Sequence, residues 1–206
     1  MSGDKKHAAA RRRFTSGTVA AALVVWISCL CGGFGVLSKY SNTPGAPAAA
    51  LQEWPGDIPR DSNGRSTLML FAHPQCPCSR ATLGELAGIL AHDPSRLDVR
   101  VAFFVPSEKP ADWSDDNLIA EAARIPGVHV IEDRDGALAR KFGAKTSGQA
   151  LYYDARGHLA FAGGITESRG HSGDNDGRDA ITSLIAGNTP VLRQTPVFGC
   201  SLVVEK

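Results

Sequence analysis

A surplus of charge of either sign is missing from this chain. It carries 22 Lys and Arg against 21 Asp and Glu, a formal net charge of +1 over 206 residues. That balance supplies no attraction for a polyanion, so no nucleic acid is expected as a partner. Internal repeats are absent, and no low-complexity run occurs outside one Pro-, Ala- and Gly-rich stretch, which excludes a repeat architecture. Cysteine is scarce, five residues in all. Cys29 and Cys31 lie in an apolar N-terminal run and are most simply apolar filler there. Cys76, Cys78 and Cys200 remain, and an odd number leaves one thiol outside any framework of structural disulfides. The odd cysteine suits a resolving thiol, a metal ligand or an unpaired bystander.

Charge is missing altogether from residues 14–38, which centre on Val19-Ala-Ala-Ala-Leu-Val-Val-Trp-Ile-Ser-Cys-Leu. About 20 apolar residues span a bilayer core, so the run is long enough to cross one. Lys5, Lys6, Arg11, Arg12 and Arg13 crowd just before it and should stay cytoplasmic, which places everything after the run outside the inner membrane. The expected organisation is a basic cytoplasmic tail at 1–14, an uncleaved signal anchor at 15–38 and a linker at 39–62. A single soluble domain of ordinary size then occupies 63–206. Other readings of the segment are weaker. Ala46-Pro47-Ala48 and Ala48-Ala49-Ala50 have the spacing of a cleavage site but lie far beyond the apolar run. Trp26-Ile27-Ser28-Cys29 loosely resembles a lipoprotein site, with the Trp out of place, and Arg11-Arg12-Arg13-Phe14 resembles a twin-arginine export core. Residues 42–59, rich in Pro, Ala and Gly, read as a tether.

The domain turns on Phe71-Ala72-His73-Pro74-Gln75-Cys76-Pro77-Cys78-Ser79-Arg80. An apolar run enters it and a helical pattern leaves it, so its thiols meet the unpaired N–H groups and positive dipole end of a helix start. That setting favours thiolate and can lower a cysteine pKa from about 8.5 to roughly 3.5–7.5. Around it, 66–72 reads as a strand buried on both faces, and Leu83, Leu86, Ala87, Leu90 and Ala91 form one helical stripe ending before Asp93-Pro94. A second strand follows over 97–105, and Ser114 can cap a helix carrying Leu118, Ile119 and Ala122. Then come a brief strand at 128–131, a short helix at 135–142 stopped by Gly143, and a hairpin of 150–154 with 159–162. A helix near 178–186 and an irregular tail carrying Cys200 end the chain. The order predicts an open α/β sheet, parallel at first and antiparallel at one edge, with helices on both faces.

At Phe71, Cys76 and Cys78 the chain resembles the thioredoxin superfamily, especially its membrane-anchored members facing the bacterial periplasm. In that family a central strand ends in Phe, a two-cysteine motif follows about five residues later, and a helix begins there. Asp133-Arg134-Asp135-Gly136-Ala137-Leu138-Ala139-Arg140-Lys141-Phe142-Gly143 is similar to the segment preceding the family's third main strand, and Tyr153-Asp154 before Gly157 to its hairpin. Within the superfamily the chain looks closest to a small set of membrane proteins labelled RedB-like. The resemblance implies a thioredoxin-like three-layer sandwich with a mixed central sheet, preceded by one transmembrane helix. It also implies thiol–disulfide exchange with extracytoplasmic proteins, and no cofactor. Two departures stand out. One residue, Pro77, separates the thiols where the family has two, and Gly148 stands where the family places a cis proline that helps present backbone groups to a disulfide substrate.

The candidate chemistry centres on Cys76 as the attacking thiolate, with Cys78 or Cys200 resolving the mixed disulfide. A bridge between residues two apart strains to reach disulfide geometry and would act as an oxidising donor, whereas a bridge to Cys200 would be relaxed. His73 can lower the thiol pKa or shuttle its proton. Alternatively His73 or His171 joins Cys76, Cys78 and Cys200 as ligands of copper(I) or zinc, in a metal-binding or metal-delivery module. Arg169, His171, Asp174 and Asn175, in the polar loop 163–177, can reach the thiol end of the sheet. That loop does not fit a calcium site, because with Gly177 at the sixth position Ser183 falls where a bidentate Glu belongs. Pro77, Ser79 and Arg80 make a peroxide-reducing cysteine conceivable without arguing for it. An exposed thiol on a loose tail is a liability in an oxidising compartment, so the tail is expected to dock with Cys200 near Cys76.

Overall fold

Seven residues without a charge, Ser66–Ala72, form the central strand β1. Leu68, Leu70 and Ala72 enter one hydrophobic cluster and Met69 and Phe71 another, so the strand is buried on both faces. These features come from a computed structural model that describes residues 16–60, 64–91, 95–108, 113 and 117–202. The basic N-terminal cluster, Asp93-Pro94 and Ser114 lie outside the described residues. The chain divides into two compact units, 1–40 and 41–206. Helix α1 (Ser16–Ser41) is long and apolar enough to cross a membrane.

In the second unit β1 pairs in parallel with β2 (Leu97–Val105), which pairs in parallel with β3 (Val128–Arg134). On its other side β1 pairs antiparallel with β4 (Gln149–Tyr153), and β4 with β5 (Leu159–Gly163). The sheet order is β3-β2-β1-β4-β5. Helices α2 (Pro77–Leu90), α3 (Leu118–Ala123) and α5 (Asp176–Ile185) place Leu83, Leu86, Leu118 and Ile181 in the cluster of Leu68 and Leu70. Helix α4 (Ala137–Phe142) covers the opposite face through Ala139 and Phe142.

Element ends follow local chemistry. Pro77, with its fixed φ and no N–H to leave unpaired, opens α2 directly after Cys76. Helix α4 starts at Ala137 rather than 135 because Asp135 and Gly136 take left-handed φ of 52° and 69°. The buried Asp133 carboxylate then accepts from Leu138 N at 2.7 Å and Ala139 N at 2.9 Å. Helix α5 starts at Asp176, ahead of the expected 178, because the Asn175 side chain accepts from Arg178 N at 2.9 Å. Strand β3 runs beyond 131 to Arg134 because β2 continues to Val105 and keeps it paired.

The stretch 42–59 is laid on the domain rather than standing off it as a tether. Ala49 N donates to Gly143 O (3.0 Å), Leu159 N to Gln52 O (2.8 Å) and Trp54 N to Gly157 O (2.8 Å). Trp54 meets the rings of Phe142 and Tyr153 edge-on at 5.0 and 5.3 Å, contacts worth about 0.5–1.5 kcal/mol each beyond burial. Composition misleads here because glycine-turn carbonyls and one aromatic, not average polarity, fix the path.

Candidate functional site

The connection from β1 to α2 closes tightly, with Cys76 N donating to His73 O and Ser79 N to Cys76 O, each at 3.0 Å. This places the Cys76 side chain at the start of α2, 2 % exposed. Burial by itself pushes the Cys76 thiol up. The Cys200 thiol and the backbone N–H groups of Cys200, Cys78 and Ser79 all donate to its sulfur, however, and together they hold it below the ordinary thiol range. Cys78 is pushed up by burial first, then by the charge on Cys76 and the hydrogen bond between the two, with Arg169 opposing. Cys200 is pushed up to about 12 by burial, by the bond it donates to Cys76 and by the charges of Cys76 and Cys78, again against Arg169. All three are free thiols. Of the three, Cys76 has the surroundings that favour a thiolate, and a charge there opposes ionisation of Cys78 and Cys200.

Cys200 reaches Cys76 because the tail pairs with the loop before β4. Thr146 and Ser201 form an antiparallel bridge, Ser147 N donates to Cys200 O (2.8 Å) and Leu202 N to Lys145 O (2.9 Å). Gly148 sits in that loop at φ 93°, donates to Phe71 O at 2.7 Å and faces Thr82 of α2 and Phe198 of the tail. A proline could take neither that φ nor that bond.

The remaining expected residues divide. Arg169 lies at the thiols: its Nη1 donates to Gly199 O at 2.7 Å, its Nε to Thr43 O at 3.3 Å, and its guanidinium bonds the Cys78 sulfur. His73 instead stacks on Phe104 (5.3 Å, 13°) and meets Trp113 edge-on, while its Nδ1 accepts from Gln75 N. Burial holds its pKa below the usual histidine value, so the ring favours the neutral form. His171 is exposed, with Nδ1 on Arg169 O at 2.8 Å. Neither imidazole joins the sulfurs, and among the described residues no group of three or more His, Cys, Asp or Glu side chains is arranged to hold a metal ion. Asn175 is used as the α5 cap, and Arg80 is paired with Glu121 at 2.6 Å. The polar loop 163–177 is fastened to α2, with Gly173 N donating to Glu85 at 2.7 Å and Arg178 to the same carboxylate at 3.3 Å.

Sequence reasoning missed a hydroxyl pair beneath the thiols. Ser147 Oγ accepts from His73 N at 2.9 Å and lies 2.8 Å from Ser79 Oγ, whose hydroxyl also donates to His73 O. It joins the thiol turn to the loop that holds the tail. A serine beside Gly148 and another directly after Cys78 were the available signals.

One arrangement decides the architecture: a central strand leads into Cys76 at the start of α2, with two parallel neighbours on one side and an antiparallel hairpin on the other. The fold is thioredoxin-like. Among solved structures, this thioredoxin-like chain is similar to an uncharacterized conserved protein from Geobacillus kaustophilus, with TM-score 0.58 and 18 % identity over 80 % of this chain and 92 % of that one. A hypothetical protein from Sinorhizobium meliloti 1021 gives TM-score 0.54 and 22 % identity over 80 % and 96 %. A secreted Mycobacterium tuberculosis disulfide oxidoreductase gives 0.41 and 14 % over 60 % and 82 %. No family model and no curated protein matches the chain.

Proposed function

We propose that this protein is a membrane-anchored thiol–disulfide oxidoreductase acting on extracytoplasmic protein thiols, with Cys76 as the attacking thiolate. Helix α1 would hold it in the bacterial inner membrane with the thioredoxin-like domain in the periplasm. The observation that carries the reading is the set of donors on the Cys76 sulfur, three backbone N–H groups and one thiol, at the start of α2. That is the environment of a nucleophilic cysteine rather than an inert core residue. Cys76 Sγ attacks one sulfur of a substrate disulfide, a mixed disulfide forms, and the other sulfur leaves as a thiolate and takes a proton from water.

The alternative, a copper- or zinc-delivery module, would draw on the same cysteines, but among the described residues no three such side chains are arranged to hold a metal ion. One experiment separates the two. The full chain is purified in detergent, its metal content measured, and its reduced form mixed with a peptide disulfide. Metal-free protein that reduces the peptide, with activity lost in Cys76→Ser, supports the oxidoreductase. Stoichiometric copper or zinc that disappears in Cys76→Ser overturns it.

A further inference from the structure

Cys78 and Cys200 both stand beside Cys76, and the surroundings of each assign them different tasks. Only Pro77 separates Cys78 from Cys76, a spacing at which a bridge is strained, and the Cys78 sulfur is engaged by Arg169. Cys200 approaches on the irregular C-terminal tail, which is held at several points. The Cys200 carbonyl accepts from Ser147 N, Leu202 N donates to Lys145 O, Leu202 is 3 % exposed in the second core cluster, and Gly199 O is held by Arg169. Gly199 lies so close to the loop that a Cβ there would fall 1.9 Å from Ser147 O. Arg169 is itself fixed through Ser41 O and Thr43 O, at 3.0 and 3.3 Å. One guanidinium thus ties the residue before Cys200, the Cys78 sulfur and the start of the domain together.

We propose that Cys200 is the resolving thiol, that the bridge formed in turnover is Cys76–Cys200, and that Arg169 is the positioning residue that holds Cys200 against Cys76. This rests on the reading of Cys76 as the attacking thiolate. Once Cys76 carries the substrate sulfur, Cys200 gives its proton to solvent and attacks Cys76 Sγ. The Cys76–Cys200 bond forms, the mixed disulfide breaks, and the substrate sulfur leaves as a thiolate that water protonates. Two protein thiols lose two electrons and the substrate disulfide gains them. The electrostatics supply the order of events. The charge on Cys76 helps keep Cys200 protonated. Its conversion to a neutral mixed disulfide removes that charge and leaves Arg169 as the charged group favouring a Cys200 thiolate.

The test uses the reduced full chain in detergent, mixed with an equimolar amount of glutathione disulfide, quenched over time and mapped by peptide mass. Wild type and Cys78→Ser are expected to end with a Cys76–Cys200 bridge. Arg169→Ala should keep the glutathione adduct on Cys76 at least about tenfold longer, because misplacing a reacting group costs rate steeply, and should resolve it only at higher pH. Arg169→Lys, which restores the charge without the planar fork, should recover the pH profile while the adduct remains longer-lived than in wild type. A wild-type bridge at Cys76–Cys78 overturns this inference alone. Wild-type resolution rate and pH profile in Arg169→Ala, or a lowered Tm with the pH profile unmoved, overturns the positioning role. A chain that takes up no glutathione and forms no bridge overturns the oxidoreductase reading and this inference with it.

Discussion

Replacing Leu202 by Ala should expose Cys76. Cys76 is buried, 2 % exposed, with the tail residue Cys200 donating to its sulfur, and the tail's last described side chain, Leu202, is 3 % exposed in the cluster of Phe71, Phe142 and Tyr153. Truncating a buried leucine to alanine costs about 2–5 kcal/mol in a closed core, and the low end applies where the surroundings can relax into the space. Taken as about 2 kcal/mol against tail docking, the change raises the undocked population about 30-fold. Bulky maleimides reach Cys76 only in that undocked form, so their reaction with Cys76 should accelerate about 30-fold. Peptide mass mapping over a time course measures the rate, and repetition in low urea shows whether the opening is local, since a local opening exposes little surface and has a shallow denaturant slope. Gly199→Ala should act in the same direction, because its Cβ meets the Ser147 carbonyl. Unchanged labelling of Cys76 in both variants would refute the claim that the tail covers the thiol.

Other outcomes follow from the same geometry. Restoring the family proline as Gly148→Pro should lower stability by more than about 1 kcal/mol, because φ there is 93° and the bond to Phe71 O disappears; thermal unfolding checks it. Ser147→Ala strips the acceptor from His73 N and a partner from Ser79 Oγ, at about 1–3 kcal/mol for buried groups left unpaired, seen as a lower Tm. The raised pKa of Cys200 makes a stability contribution that is complete below the ordinary thiol value of about 8.5 and lost as pH rises toward about 12. The stability difference between wild type and Cys200→Ala, from urea unfolding across that range, should therefore narrow with rising pH.

Much of the fold was legible in the sequence because it follows patterns that outlast context. The uncharged run 66–72 became β1 with those same limits, and the stripe of Leu83, Leu86 and Leu90 became the buried side of α2. The fate of 42–59 was not legible, since it depends on main-chain bonds to turns more than ninety residues away in sequence. The site was half legible. Cysteines announce themselves by rarity, and Arg169 by standing in a long polar loop. The spacing of His73 suggests a partner for the thiols, yet Phe104 and Trp113 hold its ring elsewhere. Ser79, Ser147 and Gly199 act through backbone neighbours that only the folded chain supplies.

The central claim is that Cys76 is the attacking thiolate, and trapping tests it directly. The chain carrying Cys78→Ser and Cys200→Ser cannot resolve a mixed disulfide, so treatment with a peptide disulfide should leave one peptide bound through Cys76. Attachment elsewhere, or no adduct under conditions that label a free surface thiol, would contradict the account.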